Sequence, residues 1–230
     1  SAPNADGSTN DIKALIREDS IVDHLKTYED VDYVIGGLED KESLQKLVEG
    51  SEALIHLAHF PGPAKTEDEY VTVNVNGSYD LLQAAKIAKV KQVVFMSACA
   101  VFGTIQPSVG ESSPLDESHP VQPSSLYGAI KSSIESFCFF YARNRAFDIT
   151  ILRPVTIYGV RPDLPKSEWF ETVDFLSTNY NVDVKGSTKY VSIDAVCQAI
   201  TKVLGNSEAS GKIYHLIDMT WSVFIASRKV

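Results

Sequence analysis

Tyr127 and Lys131 stand four residues apart in "SLYGAIKSS" (125–133), directly after the helix-opening run "QPSS". In a helix, positions i and i+4 share a face. An ammonium one turn from a phenol favours the phenolate, so the pair could give and take a proton near neutral pH. The same spacing occurs on ordinary amphipathic helices, and alone it leaves a catalytic pair and two polar surface residues both open. The other reactive side chains offer less. His56 and His59 are three apart but end an apolar run and lack further ligands, so no metal site is expected. Cys99, Cys138 and Cys197 are odd in number, far apart and without C-x-x-C, the pattern of buried free thiols in a reducing compartment.

The chain that must position this pair has 230 residues, 44% of them hydrophobic, enough for one substantial core with a small appendage. A net charge of −9 argues against a general nucleic-acid or anionic-membrane binder. No apolar run approaches the roughly 20 residues of a membrane-spanning helix and no signal peptide opens the chain, so a cytoplasmic protein is expected.

Strand-like runs occur at "DIKALIRE" (11–18), "DYVIGG" (32–37), "EALIHLAH" (52–59), "KQVVFMSACAVFG" (91–103, strand then turn) and "DITILRPVTIYG" (148–159). The run 52–59 is continuously apolar, the look of a strand buried on both faces. Helical spacing is found in "KESLQKLVEG", in "EYVTVNVNGSYDLLQAAKIAKV" as one long helix, and in "LYGAIKSSIESFCFFYARNR". The apolar stripe of this last segment is Ile130, Ile134, Phe137 and Tyr141, with Tyr127 and Lys131 off its centre. From about residue 160 the pattern loosens into helix, strand and helix, then the strand "KIYHLID". The alternation predicts an α/β protein, a mainly parallel sheet covered by helices on both faces. Ligands of such sheets bind outside the carboxyl ends of the strands, here "HLAHFPG", "MSACAVFG" and "RPVTIYG".

Six segments occur in order: "ALIHLAH", "VNVNGSYDLLQAA", "VVFMSACAVFG", "DESHPVQPSSLYGAIKSSIE", "ILRPVTIYG" and "KYVSIDAVCQAI". Together they resemble the extended short-chain dehydrogenases/reductases, the NAD-dependent epimerase/dehydratase group. The resemblance implies a Rossmann-like doubly wound domain over 1–159 and a short substrate-side lobe over 160–230, interleaved with the last sheet strands. It implies NAD or NADP as cofactor, with NAD slightly preferred, a sugar nucleotide or related hydroxyl/carbonyl substrate, and a homodimer built on helices 78–89 and 126–144. Phe137, Phe139, Phe140 and Tyr141 fit either that dimer surface or the core. By the same resemblance Tyr127 exchanges the proton with substrate. Lys131 lowers the tyrosine pKa and binds the nicotinamide ribose. Asn74 lies near the cofactor and fixes the local backbone, Leu57, Ala58 and His59 form the loop beside it, and Pro154 and Val155 lie near the nicotinamide. Read from the residues alone, Asn74 could instead be a helix cap and Pro154 a strand terminator.

Departures from the family pattern are specific. No G-x-x-G-x-x-G turn occurs in these residues, and "DIKALIRE" corresponds to the family's second strand, so the chain is expected to be a fragment or a truncated form. Alternatively, 221–227 fills the central place of the missing first strand. The family's Ser or Thr five residues before the glycine is Ala98 here, counted from Gly103 and flanked by Ser97 and Cys99. Loss of that hydroxyl costs roughly 10²-fold in rate by analogy with an oxyanion donor. In "VIGGLED" Gly37, followed by Leu38, replaces the adenine-binding Asp, while Arg17 is either a contact for an NADP 2′-phosphate or a solvated side chain. Ser192 replaces the histidine usual in "YVSID". An NAD(P)-dependent enzyme is the leading expectation. A catalytically degenerate cofactor-binding or scaffold protein is the alternative, and an interaction domain with no ligand is a third.

Overall fold

The computed structural model describes residues 11–18, 31–60, 66–103, 116–159 and 187–222. Apolar runs too short for helices form strands: β1 (Ile12–Ile16), β2 (Val31–Ile35), β3 (Ala53–His56), β4 (Gln92–Met96), β5 (Asp148–Pro154), β6 (Thr156–Tyr158), β7 (Ser187–Ser192), β8 (Lys212–Leu216) and β9 (Met219–Ser222). The strands β3-β4-β5-β8 make one all-parallel sheet, with Ile55 opposite Val94 and Val94 opposite Thr150. Parallel neighbours need crossovers, and helices supply them: α1 (Lys41–Val48), α2 (Glu67–Val71), α3 (Gly77–Ile87), α4 (Leu126–Arg143) and α5 (Ile193–Val203). The strands β1 and β2 form a separate parallel pair.

Successive strand residues face opposite sides, and the two sides bury different layers. Val93, Phe95, Ile149 and Ile151 join the core under α1, α3 and α4. Val94, Met96 and Leu152 join Val196 and Val203 of α5. The result is the Rossmann-like, two-sided parallel sheet expected from the alternation.

Three expectations need correction. The run 52–59 yields only β3, and it is half-buried. Leu54 and His56 are buried, whereas Ile55 is 38% exposed, because the α5 layer covers β4 and β5 and its core contains no β3 residue. The long helix over 69–90 is interrupted by a π-helical turn, Thr72–Asn76, between α2 and α3. The idea that 221–227 fills a central strand position fails for its described part. Trp221 and Ser222 lie in β9, antiparallel to β7 in the sheet β6-β7-β9. The physical reason is reach. Only Ile217 and Asp218 separate β8 from β9, so Met219, which pairs with Tyr190 of β7, stands at most about 11 Å along the chain from Leu216, while the far side of β3 lies four strand spacings, about 19 Å, from β8. Residues 223–227, and the helix expected after residue 160, lie outside the described residues.

The thiols differ from expectation as well: Cys138 is buried and Cys99 half-buried, but Cys197 is exposed. Among the described residues no helix is long and apolar enough to cross a membrane.

Candidate active site

Ser125 caps α4, its hydroxyl accepting from the Gly128 N–H at 3.1 Å. That start places Tyr127 in the first turn and Lys131 in the second. Gly128 lets the helix approach: a Cβ there would stand 2.4 Å from the Ala100 carbonyl oxygen. Ala100 belongs to the 3₁₀ turn Cys99–Phe102 that follows β4, so α4 is laid directly on the end of that strand.

Lys131 is not at the edge of the apolar stripe, as the sequence pattern suggested. It is buried with Ile130, Ile134, Glu135 and Cys138 on the inner face. Its Nζ donates to the Met96 carbonyl at 2.8 Å and lies 5.2 Å from the Phe95 ring centroid and 5.8 Å from that of Tyr127. Burial lowers the lysine pKa to about 8, and the Glu135 carboxylate pushes it the other way. Tyr127 is 36% exposed above it, so the phenol is open to a ligand while the ammonium beneath it is shielded.

The loop after β3 closes over this pair. His59 sets its ring edge-on against Tyr127 and shares a hydrogen bond with the Tyr70 hydroxyl, Nε2 to oxygen 2.8 Å. Burial, then the nearby Lys131 charge, lowers the His59 pKa to about 4. Below, fully buried His56 bonds Ser78 Oγ at 2.8 Å, and burial first, then Lys131 and His59, lowers its pKa to about 3. Both imidazoles are therefore neutral near pH 7.

Asn74 fixes the loop. Its side-chain oxygen accepts from the Phe60 N–H at 2.8 Å, and its amide donates to the carbonyls of Phe60 at 3.1 Å and Tyr70 at 2.9 Å. It sits inside the π-helical turn rather than at a helix start, so the helix-cap reading does not hold. A π turn inserts one residue and rotates the following helix, a device common at functional sites.

The structure thus gathers Leu57, Ala58, His59, Asn74, Ser97, Ala98, Tyr127, Lys131, Pro154 and Val155 at neighbouring carboxyl ends of β3, β4 and β5. Ala98 is buried in extended backbone, φ −159° and ψ 153°. Ser97 is buried, and its Oγ has no hydrogen-bond partner among the described residues, nor has His59 Nδ1. Pro154 ends β5, and the Val155 N–H donates to the Leu216 carbonyl at 3.2 Å. Arg17, Gly37 and Leu38 stand elsewhere, at the carboxyl ends of the separate pair β1 and β2. Of these, Leu38 reaches the common core beside α3, because Gly77 leaves room for it: a Cβ there would be 2.5 Å from the Leu38 carbonyl oxygen.

Two residues at this site were not singled out from the sequence. Glu135, one turn beyond Lys131, and Arg153, in the otherwise apolar "DITILRP", form a buried ion pair. The available signal was the Arg itself, since a charge within a buried strand requires a partner.

Comparison with known proteins bears on the family of the chain. The family model "NAD dependent epimerase/dehydratase family" matches residues 9–216. An "Uncharacterized UDP-glucose epimerase YtcB" of Bacillus subtilis is 32% identical over 127 residues, covering 53% of this chain and 38% of that protein. A "Probable UDP-glucuronate 4-epimerase" of Rhizobium meliloti is 29% identical over 178 residues, covering 72% and 50% respectively. The chain therefore spans half or less of the length of these relatives. The structure of DesIV, a dTDP-glucose 4,6-dehydratase from Streptomyces venezuelae, superposes with a TM-score of 0.75 at 23% identity, covering 93% of this chain and 69% of that one, a likeness of fold. With the matched segment running from β1 to the end of β8, the chain belongs to the NAD dependent epimerase/dehydratase family.

Proposed function

We propose that this chain carries the proton-transfer part of an NAD(P)-dependent oxidoreductase, an epimerase or dehydratase acting on a sugar nucleotide or a related hydroxyl/carbonyl substrate. The observation that carries the reading is the buried Lys131, bonded to the Met96 carbonyl directly beneath the half-exposed Tyr127. The residues fit the nicotinamide–ribose half of the cofactor. Lys131 uses one of its three donors on Met96, and Ser97 Oγ and His59 Nδ1 are buried polar atoms that a ligand's hydroxyl or amide would satisfy. A bound nicotinamide supplies the hydride acceptor or donor.

Tyr127 takes the hydroxyl proton as hydride leaves the same carbon, and returns it in the reverse direction. Lys131 favours the phenolate by its charge. Asn74 keeps the 57–60 loop, and so His59, against Tyr127. Arg17, Gly37 and Leu38 are assigned to the adenosine half, NAD being preferred over NADP. The region from β6 onward is assigned to the substrate side, with Ser192 engaged in capping α5 by accepting from the Ala195 N–H at 3.2 Å. Exposed Ile87 and Phe140 on α3 and α4 support a homodimer through those helices.

One observation favours the degenerate alternative: the place of the family's relay hydroxyl is the methyl of Ala98. The deciding experiment titrates the protein with NAD and NADP by calorimetry, then incubates it with UDP-glucose, UDP-glucuronate and dTDP-glucose while NMR follows the sugar C4. Cofactor binding with an epimer or 4-keto product supports the enzyme. Binding without product leaves the degenerate reading, and no binding at millimolar cofactor removes the enzyme and leaves only the scaffold form of the alternative.

A further inference from the structure

Arg153 and Glu135 do more than neutralise one another. The Arg153 guanidinium holds the Glu135 carboxylate by a fork, Nε to Oε1 2.9 Å and Nη2 to Oε2 2.6 Å, with side chains only 2% and 3% exposed. The guanidinium carbon lies 4.9 Å from the Phe102 ring centroid, and the Arg153 carbonyl accepts from the Cys99 thiol at 3.2 Å. One residue of β5 thereby grips α4 and both ends of the turn Cys99–Phe102, and its chain neighbours are Pro154 and Val155.

As a stability device the pair is a poor choice. Desolvating two charges costs about as much as their attraction returns, and apolar replacements of similar volume are often neutral or better. Arg153 additionally keeps one buried nitrogen, Nη1, without a hydrogen-bond partner among the described residues. A local role explains the cost better, because Glu135 lies one helical turn from Lys131 on the same buried face.

We propose that the Arg153–Glu135 pair is a positioning strut for the Tyr127–Lys131 site, fixing α4 on the ends of β4 and β5 and presenting Lys131 with its counter-charge. The proposal rests on reading Tyr127 and Lys131 as the acid/base pair. The surroundings of Lys131 leave this task to Glu135. His56 from β3 and His59 from the following loop are neutral above about pH 4. From β4 come the Met96 carbonyl and the Phe95 ring, and the Arg153 guanidinium of β5 is turned onto Glu135. Burial alone drives Lys131 toward the neutral amine, and the carboxylate opposes it. Arg153 holds that carboxylate in place, so it acts through Glu135.

The test follows the Lys131 side-chain resonance by NMR in protein carrying isotope-labelled lysine, the signal being assigned with Lys131→Arg. Wild-type Lys131 titrates near pH 8. Glu135→Gln lowers that midpoint by about one pH unit or more. The double variant Glu135→Leu/Arg153→Met removes both charges, leaves none orphaned, and lowers the midpoint in the same direction. An unchanged midpoint in a folded variant shows a merely structural pair and overturns the proposal. NAD binding is measured on the same samples. A lowered midpoint with no NAD binding by the wild type keeps the strut and discards the proposed function, whereas NAD binding with an unmoved midpoint does the reverse.

Discussion

His59 meets Tyr127 edge to face, with ring centroids 4.9 Å apart and planes at 84°. The contact is between the two rings and does not require the hydroxyl. Tyr127→Phe keeps that contact, so the fold is expected to persist and NAD affinity to stay near wild type. Turnover should drop by about 10³-fold, the range for loss of a general acid/base. A mutant with wild-type kcat would show that the proton moves elsewhere.

Ala98 offers the opposite experiment. Its extended backbone is compatible with serine, and one oxygen is a small addition beside Ser97. If the missing hydroxyl limits the reaction, Ala98→Ser raises kcat by roughly 10²-fold with little change in KM. Steady-state kinetics of the single variant decides it, and an unchanged kcat would absolve Ala98.

Lys131 sets an alkaline limit. Its folded pKa of about 8 lies below the ordinary 10.5, so it loses its charge as pH rises through 8 and activity should fall there. Stability moves the other way. Between about 8 and 10.5 the unfolded chain binds the proton that the folded chain has released, so stability rises with pH across that window. At pH 7 the folded protein carries the cost of a buried charge. Lys131→Met should therefore raise stability by about 1 kcal/mol or more while abolishing turnover. Thermal melts at pH 7 and pH 10 test this: the stabilisation should be present at the first and largely gone at the second.

The two histidines set an acid limit. Their folded pKa values, about 3 for His56 and about 4 for His59, lie below the ordinary 6.5. As pH falls below 6.5 the unfolded chain takes up protons that the folded chain refuses, so stability falls from there toward pH 4. His59→Phe, which keeps a ring against Tyr127, should flatten that fall by about one proton's worth, near 1.4 kcal/mol per pH unit. Urea titrations at pH 4.5, 5.5 and 6.5 measure the slope, and equal slopes in mutant and wild type would contradict the assignment.

Asn74 tests the loop. It is buried and makes three hydrogen bonds, two of them to the Phe60 backbone. Asn74→Ala should cost about 2–3 kcal/mol, since buried backbone groups are left unsatisfied. It should also quicken amide exchange at Phe60, and a variant with wild-type protection there would separate Asn74 from the loop.

The parallel sheet was legible in the sequence because the apolar runs of β4 and β5 and the helical stripe of α4 are local patterns, set by the side-chain periods of 2 and 3.6. The pairing of Tyr127 with Lys131 was legible for the same reason. The π turn was not. The apolar pattern of 69–90 suits one continuous helix, and the slip of one residue is accompanied by hydrogen bonds from Asn74 to Phe60, 14 positions away. The half-exposed state of β3 also escaped, because burial depends on which helix covers which strand.

What the sequence determined by itself was therefore the α/β class, the family's order of segments, and two reactive residues one helical turn apart. What only the tertiary structure decided was their environment. Lys131 is turned inward onto the Met96 carbonyl, and Glu135 is clamped by Arg153 from 18 positions away. His59 is folded back over Tyr127, and β9 is sent to a different sheet. Local periodicity records which face of an element is apolar, whereas pKa and contact depend on what other elements bring to that face, and that information is not local in the chain.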